Sequence, residues 1–336
     1  MKIAHLVVQN VRVHSLKTLD LKSTTTLISG PNGCGKTSLI EALYIALRGR
    51  SFRGSDDAIC SYGTDFYHIN VQTDERNYRI SYQNTNGSKR KQFIVDGKKY
   101  SRLPYKLKYP IVLFEPEDLR IISGSPARRR RFIDMLIQQY DPHYSRELSR
   151  YERALQQRNR ALKQPDVTRD SLFSWNILLS QYGATIIEKR QVVLRKFNEV
   201  ITDIYQQIAH NNDKIEMRYS LGESVSVQNL LRRYEENFEY DKITGATSVG
   251  PHRHDIHFLF NDRDAIDVAS RGENRTIVLA LKFIEAEHIE RQSGRQPLIL
   301  LDDVFGELDE GRQRALMEEF QAKQIVMTST ARISPQ

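Results

Sequence analysis

Gly30-Pro31-Asn32-Gly33-Cys34-Gly35-Lys36-Thr37 is the stretch on which the reading of this 336-residue chain turns. It fits G-x-x-x-x-G-K-[ST], the P-loop pattern. A β-branched apolar run, Thr24 to Ile28, precedes it, and a helical run, Ser38 to Leu47, follows it. Strand, glycine loop and helix are the context the pattern needs. Glycines let the backbone close around a phosphate because no Cβ stands in the way. The loop N–H groups and the helix N-terminus, Ser38 included, then face the anion. Lys36 is expected to reach the β- and γ-phosphates of ATP, and the Thr37 hydroxyl to hold Mg²⁺. Cys34 reads as a small filler of the loop.

The other half of such a site lies far downstream. Leu298-Ile299-Leu300-Leu301-Asp302-Asp303 places two carboxylates after four apolar residues. That is the form of a Walker-B strand, whose Asp holds Mg²⁺. A carboxylate at the C-terminal end of a parallel strand sits where open α/β sheets bind ligands. Asp302 is read as the metal ligand and Asp303 as the group that polarises the attacking water. Ser270-Arg271-Gly272-Glu273 opens a helix running to Arg291. Ser270 and Glu273 have the spacing of a capping box. A capped helix N-terminus with a glycine is also a phosphate-binding surface, and its place before the Walker-B strand is the chain order of an ABC-type signature.

Between these motifs the pattern changes twice. Residues 2–8 and 17–22 read as short strands around a turn, and 66–73, 77–83 and 90–95 alternate as an antiparallel sheet with turns at Asn84–Ser88 and Asp96-Gly97. Pro110 to Phe114, with Ile111, Val112 and Leu113, reads as a buried strand. From Pro126 to His210 the pattern is helical. From Leu172 to Ile208 apolar residues recur mostly every three or four positions, which suggests a helix of about 40 residues, about 60 Å long, with a bend at Gly183. Ile256–Phe260, Leu298–Leu301 and Ile325–Met327 read as strands. The expected fold is α/β: an ABC-type P-loop ATPase head, with a mixed sheet, a central helix and an antiparallel sheet, and an inserted α-helical lobe. The domain reading is 1–120 for the first part of the core, 121–234 for the insert and 235–336 for the second part of the core.

Composition agrees with a globular protein: 27% charged and 39% hydrophobic residues. No run is apolar enough to span a bilayer, and Met1 to Ser15 does not read as a signal peptide. Two cysteines, Cys34 and Cys60, make neither a disulfide framework nor a zinc pattern, so a reducing cytoplasm is the expected location. The net charge of +8 leans towards a polyanionic partner. Basic clusters occur at Lys89-Arg90-Lys91, Arg128 to Arg131 and Arg232-Arg233. Consecutive helical residues diverge, so Arg128 to Arg131 do not form one patch; some are expected to pair with Asp134, Glu117 or Asp118.

The chain resembles one family, RecF, of the ABC/SMC-like ATPase class. The resemblance rests on Gly49-Arg50-Ser51-Phe52-Arg53, Phe114-Glu115-Pro116-Glu117-Asp118-Leu119, Gly124-Ser125-Pro126 with Arg129-Arg130-Arg131-Phe132-Ile133-Asp134, Gln157-Arg158-Asn159, Gly250-Pro251-His252-Arg253 and Asp302-Asp303-Val304-Phe305 with Glu307-Leu308-Asp309. It departs from the family pattern at Glu115, His254, Gly306 and Glu273, where Ser, Asp, Ser and Gln are usual. The resemblance implies Mg-ATP-driven pairing of two copies head to tail. Ser270 and Gly272 of one copy, with Glu273 beside them, meet the γ-phosphate held by the other, and Asp309 crosses the same interface. Thr328 or Thr330 takes the place where transporter ATPases carry a switch His. It further implies slow hydrolysis and DNA held across the dimer through backbone phosphates, with Arg50, Arg53, Lys89, Arg90 and Lys91 as candidate contacts. Action with RecR and RecO in loading RecA, and SOS induction, are implied as well. A transporter ATPase is disfavoured by the lack of a Leu-Ser-Gly-Gly-Gln-like signature, a Gln-loop, a Walker-B Glu and a switch His. An SMC protein is disfavoured by an insert too short for a long coiled coil. A DNA-binding protein with vestigial hydrolysis stays open.

Overall fold

Alternation of apolar and polar residues, short turns and one glycine loop build the first third of the chain. In the computed structural model, which describes residues 2–220 and 226–330, it runs β1 (Ile3–Val11), β2 (His14–Asp20), β3 (Thr25–Ser29), α1 (Lys36–Arg48), α2 (Asp56–Ile59), β4 (Phe66–Thr73), β5 (Asn77–Thr85), β6 (Ser88–Val95), β7 (Lys98–Tyr100) and β8 (Ile111–Phe114). Helices dominate next: α3 (Pro126–Tyr140), α4 (Pro142–Ala161), α5 (Arg169–Asn198), α6 (Ile201–Ala209), β9 (Ile215–Tyr219), α7 (Val227–Glu236), α8 (Phe238–Thr244), β10 (Ile256–Phe260), β11 (Arg263–Asp264), α9 (Ala265–Val268) and α10 (Arg271–Ser293). The chain closes with β12 (Leu298–Leu301), α11 (Glu310–Phe320) and β13 (Ile325–Ser329).

These elements form two compact units, Met1–Asp118 with Glu285–Gln336, and Leu119–Ile284. The division falls inside α10. The second unit therefore holds the helical stretch together with residues 235–284, which the sequence reading grouped with the core.

The first unit has two sheets. One is parallel, in the order β3-β13-β12-β8; the other is antiparallel, β2-β1-β4-β5-β6-β7. In β12 all four residues are buried, flanked by β13 and β8, as a continuous apolar run in a parallel sheet requires. α1 touches β13 of one sheet and β1, β4 and β5 of the other, and nearly every residue in it is buried. A helix apolar on all sides needs such enclosure. The Asn86-Gly87 and Asp96-Gly97 turns have positive φ at both positions, the backbone that tight hairpins demand.

In the second unit α5 packs against α3, α4 and α7, and β11-β10-β9 form a small antiparallel sheet. The single long helix expected from Leu172 to Ile208 is two helices: α5 spans 30 residues and α6 spans 9, separated at Glu199-Val200. Gly183 lies within α5. A Cβ there would come 3.3 Å from Pro251 and 3.5 Å from Tyr151 and Leu230, so the glycine serves close packing. The unit's interior carries ion pairs. Arg158 and Asp241, both fully buried, meet at 2.7 Å, with Asn176 and Thr247 accepting from the same guanidinium. Arg190 binds Asp134 at 2.8 Å through two nitrogens. The partner of Arg129 is Asp255, at 2.8 Å through two bonds. Asp134, expected beside the arginine run, thus serves a residue 56 positions away.

Candidate nucleotide site

Two strands and one helix converge at the carboxyl end of the parallel sheet. β3 feeds the loop 30–35, and α1 begins at Lys36 with Gly35 as a left-handed N-cap, φ 91°, and no capping side chain. Its first N–H groups therefore lack the usual side-chain acceptor. A Cβ at Gly35 would collide with Val13 and His14 of the β1–β2 turn, and the His14 ring nitrogen Nε2 lies 3.0 Å from the Gly35 carbonyl. Lys36 is almost wholly buried and folds back over its own loop, donating to the Gly30 and Pro31 carbonyls at 2.9 and 3.1 Å. Cys34 is exposed and free.

Thr37 and Asp302 meet directly: the hydroxyl donates to Asp302 Oδ1 at 2.9 Å. Thr328, the fourth residue of β13, donates to the same oxygen at 2.9 Å and accepts from the Asp303 N–H at 2.8 Å. Asp303 has a left-handed backbone, φ 54°, a strained choice for a residue with a side chain. Burial pushes the Asp302 carboxyl above its ordinary range, while the hydroxyls of Thr328 and Thr37 and the charge of Arg53 pull it back. A buried carboxylate with two hydroxyls on one oxygen suits a hard cation. Mg²⁺ bound by Thr37 and Asp302 would relieve the burial cost, and the uncapped helix start beside Lys36 fits a triphosphate. Among the described residues there is no group of three or more His, Cys, Asp or Glu side chains placed to hold a metal.

Glu41 is a residue that sequence reasoning missed. It is fully buried in α1 and collects Arg12 through two bonds of 3.0 Å, Ser51 at 2.5 Å and Arg53 at 3.3 Å. Burial alone would raise its carboxyl; Arg12, Ser51 and Arg53 outweigh it and hold the carboxyl below the ordinary range. A carboxylate inside the apolar run Ser38-Leu39-Ile40-Glu41-Ala42-Leu43 was the available signal.

The remaining candidates are placed as follows. Ser270 and Glu273 form the reciprocal capping box: Ser270 N–H donates to Glu273 at 2.6 Å and Glu273 N–H to Ser270 Oγ at 3.2 Å. They and Gly272 belong to the second unit, the loop and Asp302 to the first. Asp309 caps α11, accepting from Arg312 N–H at 3.0 Å. Thr328 is 1% exposed, its hydroxyl donating to Asp302 Oδ1 and accepting from the Asp303 N–H. Thr330 is exposed. Of the proposed DNA contacts, Arg53 turns to Glu41, Lys89 pairs with Asp57 and Lys91 with Asp56 at 2.5 Å. Arg50 and Arg90 are exposed.

Comparison with known proteins fits this geometry. Residues 5–247 match the AAA domain family. A DNA replication and repair protein RecF from Natranaerobius thermophilus is 34% identical, the alignment covering 98% of this chain and 92% of that protein. A RecF from Bacillus cereus is 33% identical with the same coverage. Among solved structures, the recombination mediator protein RecF with ATP, of the RecFOR pathway, superposes with a TM-score of 0.88 at 29% identity, covering 100% of this chain and 93% of that one. An SMC head bound to the C-terminal winged-helix domain of ScpA shares the fold at a TM-score of 0.53 and 14% identity.

Proposed function

The chain belongs to the RecF family of DNA replication and repair proteins, and on that footing we propose that it is an ATP-operated DNA clamp with slow hydrolysis. The observation that carries this reading is the Thr37–Asp302–Thr328 chain of hydroxyls and carboxylate at the mouth of the glycine loop. Lys36 and the start of α1 hold the phosphates of ATP. Thr37 and Asp302 hold the metal. Mg²⁺ in that position supplies charge neutralisation on the phosphate oxygens. Thr328 fixes Asp302 and the backbone of Asp303, and Asp303 holds the attacking water. Its carboxylate is one methylene shorter than the Glu of transporter ATPases, which suits a timer better than a pump.

Ser270 and Gly272 of a second copy complete the pocket around the γ-phosphate, with Asp309 at the same interface. ATP then joins two incomplete half-sites, and hydrolysis releases them. DNA lies across the paired molecules and is held through its phosphates, Arg50 and Arg90 being exposed contacts. The clamp serves recombinational repair at gapped DNA in the cytoplasm, with RecR and RecO as partners, RecA loading as the outcome and SOS induction downstream.

Fluorescence anisotropy on labelled gapped DNA tests the proposal. Wild type should bind more tightly with Mg-ATP than without, and Lys36→Met should lose both nucleotide affinity and the ATP-dependent gain. DNA affinity indifferent to Mg-ATP in the wild type would overturn the clamp.

A further inference from the structure

We propose that the exposed face of α4 in the second unit is a docking surface for the sugar–phosphate backbone of a DNA strand, with Arg146, Arg153 and Arg160 as its phosphate contacts. The proposal rests on the DNA-binding reading above and adds to it three arginines that no motif marks.

α4 runs from Pro142 to Ala161 and buries Tyr144, Glu147, Tyr151, Ala154 and Arg158. Four further arginines, Arg146, Arg150, Arg153 and Arg160, are exposed. At 3.6 residues per turn they fall within about 80° of the helix circumference. Pro142 and Gln157 are the other residues of that arc, so it carries no carboxylate of its own. Arg150, at the edge nearest the buried side, pairs with Glu147 at 3.1 Å and lies over the Tyr182 ring. Arg153 donates from Nε to the Ser149 carbonyl at 3.1 Å, a neutral acceptor. Arg146, Arg153 and Arg160 form no ion pair among the described residues.

The row works against its own helix. Like charges three and four positions apart, as in Arg146–Arg150 and Arg150–Arg153, destabilise a helix. Arg146 also stands towards the positive end of the helix dipole, where an acid is favoured. Stability of α4 therefore does not account for the row, whereas an external anion does. Arg146, Arg153 and Arg160 follow one another every seven residues, a step of about 10.5 Å and a span of about 21 Å. That step is no shorter than the Debye length of about 8–10 Å at ordinary salt. A compact anion thus feels one guanidinium at a time, and only a chain of regularly repeated charges engages all three. A DNA strand is such a chain, with one charge for about every 3.4 Å of rise. The arginine fork suits it, since two parallel N–H groups can meet two phosphate oxygens.

The test compares wild type with two triple variants: Arg146→Gln with Arg153→Gln and Arg160→Gln, and the same three positions changed from Arg to Lys. Gln and Lys are both good helix formers on an exposed face, so α4 is kept. The probes are labelled gapped DNA in Mg-ATP over a range of salt, poly-glutamate, and a fluorescent ATP analogue. The Gln variant should bind DNA at least about tenfold more weakly, and its slope of log affinity against log salt should become shallower by about three, one per lost phosphate contact. The Lys variant should keep the wild-type slope, and binding of the ATP analogue should be the same in all three proteins. A Gln variant with wild-type affinity and slope overturns the docking surface and leaves the clamp standing. Weaker binding with an unchanged slope overturns it too, since no phosphate contact was lost. A Gln variant that loses poly-glutamate binding yet keeps DNA binding gives the face to an acidic protein and likewise overturns the proposal. Wild type that binds no DNA overturns the DNA-binding reading and this surface with it.

Discussion

The hydroxyl of Thr37 donates to Oδ1 of Asp302 at 2.9 Å, joining residues 265 positions apart. The end of the glycine loop and the end of β12 thereby meet, on two strands that are both parallel neighbours of β13. Thr328, on β13 itself, ties them by spending its hydroxyl on both carboxylate residues.

Thr328→Val keeps the shape of the side chain and removes both bonds. Asp302 loses one of two donors to Oδ1, and the Asp303 N–H loses its acceptor. We expect destabilisation of about 1–3 kcal/mol and a fall in single-turnover hydrolysis of about 10- to 100-fold, with ATP affinity within a few-fold of wild type. Unaltered hydrolysis would show that Thr328 does not position the carboxylates.

Glu41→Ala strips Arg12, Arg53 and Ser51 of their common acceptor inside α1. Both arginines are partly exposed, 24% and 38% for their side chains, so water compensates in part. The expected cost is about 2–3 kcal/mol, read as a shifted denaturant midpoint, and nucleotide affinity should fall because α1 begins at the phosphate loop. A cost under about 0.5 kcal/mol would mark Glu41 as an ordinary surface-like position.

His252 and His254 are held near 4, below the ordinary value of 6.5, in each case by burial first. They are neutral in the fold and charged in the unfolded chain at mildly acid pH. Their contribution is therefore present above about pH 6.5 and is lost as pH falls through that value towards and past 4, up to roughly 3 kcal/mol for each. Denaturant melts of the unit Leu119–Ile284 within the whole chain, followed by Trp175 fluorescence, should weaken over that window. His254→Asn should flatten the decline, and a pH profile identical to wild type would remove His254 from it.

Much of the site was legible because its motifs are local. Loop, strand and helix around Lys36 follow one another directly, and the Walker-B run declares itself by four apolar residues before Asp302. The capping box from Ser270 to Glu273 is likewise a matter of spacing. Pairings made across the fold were hidden. Lys89, Lys91 and Arg53 read as candidate DNA contacts, and nothing in the sequence showed that Asp57, Asp56 and Glu41 lie against them. The apolar stripe continued through Glu199-Val200, so periodicity alone did not reveal the break between α5 and α6. β9 escaped notice because Glu216 and Arg218 leave a short, half-polar strand that makes sense only beside β10.

The most direct measurement is molar mass in solution by light scattering, with and without saturating Mg-ATP, for wild type and Ser270→Arg. The account predicts a wild-type monomer that doubles in mass only with Mg-ATP, and a variant that binds ATP and stays monomeric. A wild-type protein whose mass is the same in both conditions, or a variant that dimerises as readily as wild type, would contradict it.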